Sequence, residues 1–472
     1  MTWNPGVPLP PPEPLSYALP PHPRESRLAI LLAWLVIIGV VGYVGVENWK
    51  SSHTEKLEHA ASDIEMQITS RTVIGYTTLV RKAGMAAQLE QKMPEMAQSA
   101  TASADDFKQK LQAVAVIGEL QGKDAALTKL DSLKPALKSL KVADDGPELR
   151  RDAAVLRQIY TQSPQSLPGD DRVRLESRLE WFGKLALVAG VPDSDPQRDS
   201  LLHACMRAAV ATLSIELLLL GLLVAGLVLM IIAIVKLAGG TLKLNYVPSP
   251  VVGSAFIEAF ALYLLGYVSI GRVARALHVH STLPVYGIIL LWIIACCLWP
   301  MVRGLSFSQI RAGLGWSTGR GVLVEAALGL VGYITFMPML TIALIAVILL
   351  SKFGHEHAIH PIVFEAEDKS KSAIIGLYLL ASGFAPIVEE TMFRGAFFHH
   401  LRRRHRWLLS AFVSALIFAS LHPQGWTAFP MLGGIGFAFA GIREWRGTII
   451  ASGVAHAVNN AVAMTMLLLV LG

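Results

Sequence analysis

The chain has 472 residues, of which 53% are hydrophobic and 16% are charged, and its formal net charge is +6 at pH 7. A soluble protein usually carries about 25% charged residues, so this composition argues against a wholly soluble protein. Residues 51–207 are about 27% charged, which is the soluble value, whereas the rest of the chain is about 10% charged. The surplus of Lys and Arg lies in the charge-poor part, where it indicates membrane topology rather than binding to nucleic acid or nucleotides.

The first 207 residues divide into three predicted segments. Residues 1–27 are rich in proline, which predicts a disordered tail. Residues 28–46 contain no charge, and about 20 apolar residues span a bilayer core, so we expect a first membrane anchor there. Residues 47–207 show helical periodicity broken by clusters of Gly, Pro and Asp, which predicts a soluble all-α domain.

Eight further apolar runs follow this domain, so the predicted fold is an all-α polytopic membrane protein with about nine transmembrane helices. We divide this part into membrane helices over 208–351, a polar loop over 352–372 and a last helical unit over 373–472. If the N-terminus is cytoplasmic, the short loops place 13 Lys and Arg residues inside and five outside. We therefore expect a multi-pass protein of the bacterial plasma-membrane type with residues 47–207 on the extracytoplasmic side.

Ionisable side chains inside membrane spans are costly, so they mark candidate functional sites. The first group lies in the sequence EETMFR. Glu390 and Arg394 are four residues apart on one helical face, so they are expected to pair. Glu389 points about 100° away from that face and is left free to act as a general base.

Two further polar groups follow in the next apolar runs. Phe418 and His422 share a helix face, and His422 is suited to bind water or a metal, or to donate a hydrogen bond. His456 and Asn460 are also four residues apart and could hold an oxyanion or a metal. The neighbouring Asn459 is better explained as a polar residue that packs helices together. The joint occurrence of the three groups favours an active site, although the Glu–Arg pair alone would indicate a structural clamp.

These three groups resemble the CAAX-protease and bacteriocin-processing (CPBP) family of intramembrane endopeptidases, which includes the CAAX prenyl proteases of the Rce1 type. The family pattern is EExxxR, then FxxxH, then HxxxN, and the resemblance covers about residues 373–470. The matching positions are Glu389, Glu390, Arg394, Phe418, His422, His456 and Asn460.

The resemblance implies an intramembrane peptidase that hydrolyses a peptide bond of a membrane-associated protein or peptide. In that picture Glu389 activates water with help from His422, and His456 and Asn460 stabilise the oxyanion. Three further residues would hold the site together, namely Glu390, Arg394 and Phe418. The resemblance leaves the substrate and the oligomeric state open.

The family is described both as glutamate-dependent and as metal-dependent. The sequence lacks an HExxH helix, which is the clearest signature of a zinc protease. We therefore favour a mechanism without a metal or other cofactor. If zinc is bound, the expected ligands are Glu389, His422 and His456.

Two other classes of function are open. A non-enzymatic membrane scaffold or immunity-type protein would bind a partner through residues 47–207. A transporter would use the buried acids as a proton relay, but the chain has no convincing inverted repeat.

Other polar and glycine-rich groups have simpler explanations. The histidines at 355, 357 and 360 are expected in a solvated loop. His399, His400 and His405 lie beside an arginine cluster, which predicts the cytoplasmic end of a helix in contact with lipid headgroups. The glycine-rich run over 433–441 predicts close helix packing rather than a nucleotide loop.

Overall fold

The computed structural model describes residues 26–52, 55–141, 145–248, 254–277, 282–354 and 371–471. Most of the predicted N-terminal tail and most of the predicted 352–372 loop, including its three histidines, lie outside the described residues. Within the described ranges every regular element is helical, so the predicted all-α fold is confirmed.

In chain order, and with the numbering used below, the helices are α1 (Arg27–Ser52), α2 (Glu55–Lys82), α3 (Ala87–Glu90), α4 (Met93–Ala100), α5 (Phe107–Gln121), α6 (Lys123–Ser139), α7 (Gly146–Thr161), α8 (Gly169–Leu179), α9 (Trp181–Leu187), α10 (Pro196–Ala238), α11 (Ser254–Ala276), α12 (Thr282–Val302), α13 (Phe307–Leu314), α14 (Val322–Gly354), α15 (371–402), α16 (Trp407–Ser420), α17 (Phe429–Arg446) and α18 (Ile449–Leu471).

Several helices begin at a side chain that caps their free backbone N–H groups. Asp106 accepts a hydrogen bond from the backbone N–H of Gln109 at the start of α5, and Ser306 caps α13 in the same way. At the start of α10, Asp195 accepts from two successive backbone N–H groups. A carboxylate at this position also interacts favourably with the helix dipole, so these residues define where the helices begin.

Five described helices are long and apolar enough to cross a membrane: α1, α10, α11, α14 and α15. A sixth span results if α12 and α13, which meet at a bend of 118°, are counted together. Helices α16 and α18 are apolar but shorter over their described parts, and the 14 residues of α16 extend only about 21 Å against a core of about 30 Å. The protein is thus a polytopic integral membrane protein, while nine complete crossings stay a prediction.

The buried apolar side chains form two large and separate clusters. One joins α1 to the helices from α11 onward, and its largest members include Phe260, Phe397 and Phe418. The other lies within α2 to α10 and includes Leu111 and Leu156. Burial of apolar surface away from water stabilises the second cluster, whereas the membrane helices depend on close packing.

Helix α10 connects these two parts without a break. It has 43 residues and is therefore about 65 Å long. Near its beginning Leu202 and Cys205 belong to the second cluster. Further along it exposes a long series of apolar side chains and crosses α14 at Gly226, where a Cβ atom would lie 2.3 Å from the carbonyl oxygen of Ile334.

Glycines of α17 allow its neighbours to approach closely, as the sequence predicted for 433–441. A Cβ atom on Gly436 would lie 3.0 Å from the Cα atom of Ala415 in α16. A Cβ atom on Gly441 would lie 2.7 Å from the ring of Phe336 in α14. The close contact at Gly436 also brings Phe418 of α16 against α17.

Buried polar contacts connect the helix ends near residue 402. Both carboxylate oxygens of Glu444 accept hydrogen bonds from Arg402, at 2.7 and 2.9 Å. Burial raises the pKa of Tyr246 to about 12, so its hydroxyl stays protonated, and it forms a hydrogen bond of 2.9 Å with Nδ1 of His399. These contacts tie α15, α17 and the loop before α11 together.

The predicted headgroup contacts of His399 and His400 are wrong, because both side chains are buried, with 1% and 2% of their surface exposed. The His399 ring packs on Phe256 of α11 with centroids 4.7 Å apart, and the His400 ring lies 6.3 Å from Trp34 of α1. The neighbouring arginines suggested an interface, but α1 and α11 cover this face of α15. His405 is exposed, as expected.

Candidate active site

Helix α15 carries the first polar group and contains two widened turns. The segments Leu380–Phe384 and Glu390–Phe397 are π-helical, and the α-helical stretch Ala385–Glu389 lies between them. Such π segments are rare and often occur at functional sites. The helix is continuous through Pro386, and the first π segment ends just before this residue.

Asn460 of α18 compensates for the backbone donor that Pro386 lacks. In the π segment the N–H of Ala385 bonds to the carbonyl five residues back, so the carbonyl of Ala381 would be next, but proline has no N–H. The side-chain Nδ2 of Asn460 donates to that carbonyl at 2.9 Å. Asn460 is therefore anchored to α15 at Ala381, about two turns before Glu389.

Glu390 and Arg394 form the predicted ion pair, with 3.1 Å between Oε1 and Nη1. Both side chains are almost completely buried. The same Oε1 atom lies 3.1 Å from Nδ1 of His456, so Glu390 connects α15 with α18. A buried charge needs such partners, because transfer from water into the protein interior is otherwise costly.

Arg394 is held by aromatic rings and by a backbone carbonyl. Its Nη2 donates to the carbonyl of Gly436 at 2.9 Å. The guanidinium carbon lies 4.7 Å from the ring centre of Phe418 and 5.3 Å from that of Phe439. Phe418 thus contacts the charged pair directly, and Phe439 also stacks on the His456 ring at 4.7 Å.

Glu389 lies beside this network and is more accessible. Its side chain is 24% exposed, and its Oε2 atom is 3.7 Å from Nε2 of His456. That oxygen is buried and accepts no hydrogen bond from the described residues. Glu389 therefore differs from Glu390 in exposure and in partners: the Glu390 side chain is 1% exposed and its Oε1 is paired with Arg394 and His456, whereas the Glu389 side chain is 24% exposed.

His422 follows the end of α16 and faces the same site. Its Nδ1 lies 2.7 Å from the carbonyl oxygen of Phe418, and because a carbonyl only accepts, Nδ1 carries the proton. In the neutral ring Nε2 is then an acceptor. His422 also interacts electrostatically with Glu389, and its backbone carbonyl accepts a hydrogen bond from Asn48 of α1 at 2.8 Å.

The structure thus gathers most of the predicted residues around one point, and these are Glu389, Glu390, Arg394, Phe418, His422 and His456. Asn460 is one turn further along α18 and bonds to Ala381 and Asn459 rather than to the other members. Asn459 accepts from the Tyr333 hydroxyl of α14 at 2.9 Å, which fits its predicted packing role.

The zinc alternative concerns Glu389, His422 and His456. Among the described residues, no three His, Cys, Asp or Glu side chains form a group that could hold a metal ion. Nδ1 of His422 is directed at a backbone carbonyl and Nδ1 of His456 at Glu390, so Nε2 of each ring would be the atom that binds a metal. The zinc alternative stays a prediction, and we derive no step through a metal.

Sequence reasoning missed two tyrosines of α11. The hydroxyls of Tyr263 and Tyr267 interact electrostatically with Glu389. Their spacing of four residues places them on one helical face, but nothing in the sequence indicates that this face meets α15. The contribution of Phe439 was missed for the same reason.

The fold and the site together define an integral membrane protein in which two carboxylates, two histidines and an arginine meet inside a helical bundle. Residues 371–462 match the family model described as Rce1-like, type II CAAX prenyl endopeptidase. This segment is therefore similar to Rce1-like domains, which agrees with the family resemblance that the motifs indicated. No curated protein and no solved structure matches the chain.

Proposed function

We propose that this protein is an intramembrane endopeptidase that cleaves a membrane-associated protein or peptide. The family match supports a protease of the CAAX type. The observation that carries the proposal is the contrast between Glu390, which is buried and paired with Arg394 and His456, and Glu389, whose side chain is 24% exposed. A partly exposed carboxylate beside two histidines is the arrangement that general-base activation of water requires.

Water activation is assigned to Glu389 and His422. The Glu389 carboxylate takes a proton from the water as the water attacks the peptide carbonyl. Because Nδ1 of His422 donates to the Phe418 carbonyl, its Nε2 is available to accept the second hydrogen bond of the same water.

Oxyanion stabilisation is assigned to His456 and Asn460. Nδ1 of His456 is already used on Glu390, so Nε2 donates only when the ring is an imidazolium. The carboxylates of Glu389 and Glu390 lie on either side of this ring. Asn460 uses one amide N–H on Ala381 and has a second for the developing oxyanion.

We further propose that substrate enters from the side on which α1 ends. Asn48, which bonds to the His422 carbonyl, lies about 30 Å along α1 from Arg27. The chain then continues into α2, the first helix of the part formed by α2 to α9.

Glu389→Gln tests the function, because it removes the base and keeps the shape of the side chain. In cells, fragments of membrane proteins that carry new N-termini should fall at least about a hundredfold relative to wild type, the usual contribution of a general base. Quantitative mass spectrometry of membrane-protein N-termini measures this difference and identifies the substrate.

The matched control is Glu95→Gln, the same substitution at an exposed position of α4, and it should leave the fragments unchanged. Undiminished cleavage by the Glu389→Gln variant would contradict the proposal and favour a scaffold. Treatment with a chelator should also leave cleavage intact, because we propose catalysis without a metal. Loss of cleavage that is restored by added zinc would overturn the metal-free mechanism.

A further inference from the structure

Helix α14 packs closely against α18, and a glycine makes this approach possible. A Cβ atom on Gly329 would clash with the carbonyl oxygen of Ala451. Tyr333 follows Gly329 by one turn on α14, and Asn459 follows Ala451 by about two turns on α18. The two helices therefore run parallel, and the long side chain of Tyr333 reaches Asn459.

Three hydrogen bonds connect Tyr333 to the backbone of α15. The Tyr333 hydroxyl bonds to Oδ1 of Asn459 at 2.9 Å. Nδ2 of Asn459 bonds to Oδ1 of Asn460 at 3.1 Å. Nδ2 of Asn460 bonds to the carbonyl oxygen of Ala381 at 2.9 Å. Together these bonds form one continuous hydrogen-bond relay from α14 through α18 to α15.

The direction of this relay is determined by its end at Ala381. A carbonyl only accepts, so the amide nitrogen of Asn460 faces Ala381 and the amide oxygen of Asn460 is left to accept. Only the nitrogen of Asn459 can donate to that oxygen, which leaves the Asn459 oxygen as the acceptor for the Tyr333 hydroxyl. Both amides are thus oriented by their partners.

The relay also strengthens a donor that it does not use itself. Hydrogen bonds in series polarise one another, so an amide whose oxygen accepts a hydrogen bond is a stronger donor through its N–H. One N–H of Asn460 is used on Ala381, and the second is the proposed donor to the oxyanion. The substrate oxygen becomes strongly negative only in the transition state, so a stronger donor at this place favours the reaction.

We propose that Tyr333 and Asn459 are positioning residues, which hold the Asn460 amide and polarise its second N–H for the developing oxyanion. This inference rests on the proposed function, because it concerns the oxyanion donor of that reaction. It gives Asn459 a role beyond helix packing. It also extends the site to α14, outside the 371–462 segment that matches the family model.

Solid-state NMR of the full-length protein in phospholipid nanodiscs tests the relay without a substrate. The sequence contains five asparagines, so ¹⁵N-labelled asparagine gives five side-chain amide signals. Asn460→Gln identifies the signal of Asn460 by its loss. Tyr333→Phe should shift the Asn460 signal upfield, because the unpolarised Asn459 amide then donates a weaker hydrogen bond to Asn460.

The matched control is Tyr378→Phe, the same substitution at another tyrosine that bonds to α18. The Tyr378 hydroxyl lies 3.4 Å from the carbonyl oxygen of Ala461 and 3.2 Å from the hydroxyl of Thr465, so it joins α15 to α18 without entering the relay. Tyr378→Phe should therefore leave the Asn460 signal in place. Equal shifts in the two variants would overturn the proposal, because they would report a general change in helix packing.

The same variants are then compared in the fragment assay. Tyr333→Phe should lower the fragment yield about fivefold, since it removes part of the strength of one hydrogen bond to the oxyanion, while Tyr378→Phe should match wild type. An unmoved Asn460 signal overturns the proposal even if the yield falls, and so does a moved signal with an undiminished yield. A moved signal in a protein whose wild type cleaves nothing would support the relay and contradict the protease function instead.

Discussion

Glu390 of α15 contacts Arg394 on its own helix and His456 on α18, so it connects the two helices. Its Oε1 atom lies 3.1 Å from both Arg394 Nη1 and His456 Nδ1. Helical spacing predicted the first contact, because residues four apart share a face. The second contact depends on how two distant helices pack, and it determines which nitrogen of His456 is directed toward Glu389.

The buried ion pair leads to a prediction about stability. Arg394→Met leaves the Glu390 carboxylate buried without its cation, so the free energy of unfolding should fall by about 3 kcal/mol. The double variant Arg394→Met with Glu390→Gln should recover part of this loss, because no uncompensated charge remains. Denaturant unfolding of the purified protein in detergent measures both effects.

An exposed arginine provides the comparison for that experiment. Arg311→Met at the end of α13 should change the unfolding free energy by less than about 0.5 kcal/mol, since Arg311 is exposed. Equal losses for the buried and the exposed arginine would show that the ion pair makes no special contribution.

At the level of elements, the long helix α10 depends on one small residue. Gly226 allows its backbone to approach α14 so closely that a Cβ atom would lie 2.3 Å from the carbonyl oxygen of Ile334. Since membrane helices gain little from the hydrophobic effect against each other, such close packing contributes much of their association.

Gly226→Ala should therefore destabilise the protein by about 1–3 kcal/mol, because the added methyl group forces α10 and α14 apart. Gly221→Ala is the matched control on the same helix, since a Cβ atom there would meet nothing within 4 Å. Thermal unfolding in detergent compares the two variants. A Gly226→Ala protein as stable as the control would mean that the two helices do not pack at this position.

For the whole molecule, two separate apolar clusters with one continuous helix between them imply two parts with different surroundings. The orientation of these parts in the membrane follows from the distribution of Lys and Arg and stays a prediction. The three native cysteines, Cys205, Cys296 and Cys297, are buried, so a cysteine introduced at an exposed position is the accessible one.

Labelling with a membrane-impermeant maleimide in intact cells tests this orientation. A cysteine at exposed Ser132 in α6 should react from outside, because residues 47–207 are expected on the extracytoplasmic side. A cysteine at exposed Ser308 in α13 should react only after the membrane is permeabilised. The reverse pattern would invert the predicted topology, and the proposed entry of substrate with it.

The all-α membrane class and most of the candidate site could be predicted from the sequence alone. Charge density and hydropathy are local properties, so they separate the charged segment from the apolar spans without knowledge of packing. The three motifs could also be recognised in the sequence, because residues four apart on a helix share a face regardless of what surrounds that helix. The glycines over 433–441 could likewise be recognised in the sequence as positions of close helix packing.

Which helix faces contact each other became known from the packing of the helices. It buried His399 and His400 beneath α1 and α11, although the adjacent arginines indicated a lipid interface. It directed Asn460 to the carbonyl that Pro386 leaves without a partner, and it brought α11 alongside Glu389. These contacts join residues far apart in the chain, and no local periodicity encodes them, because they depend on how side chains from several helices fill one common space.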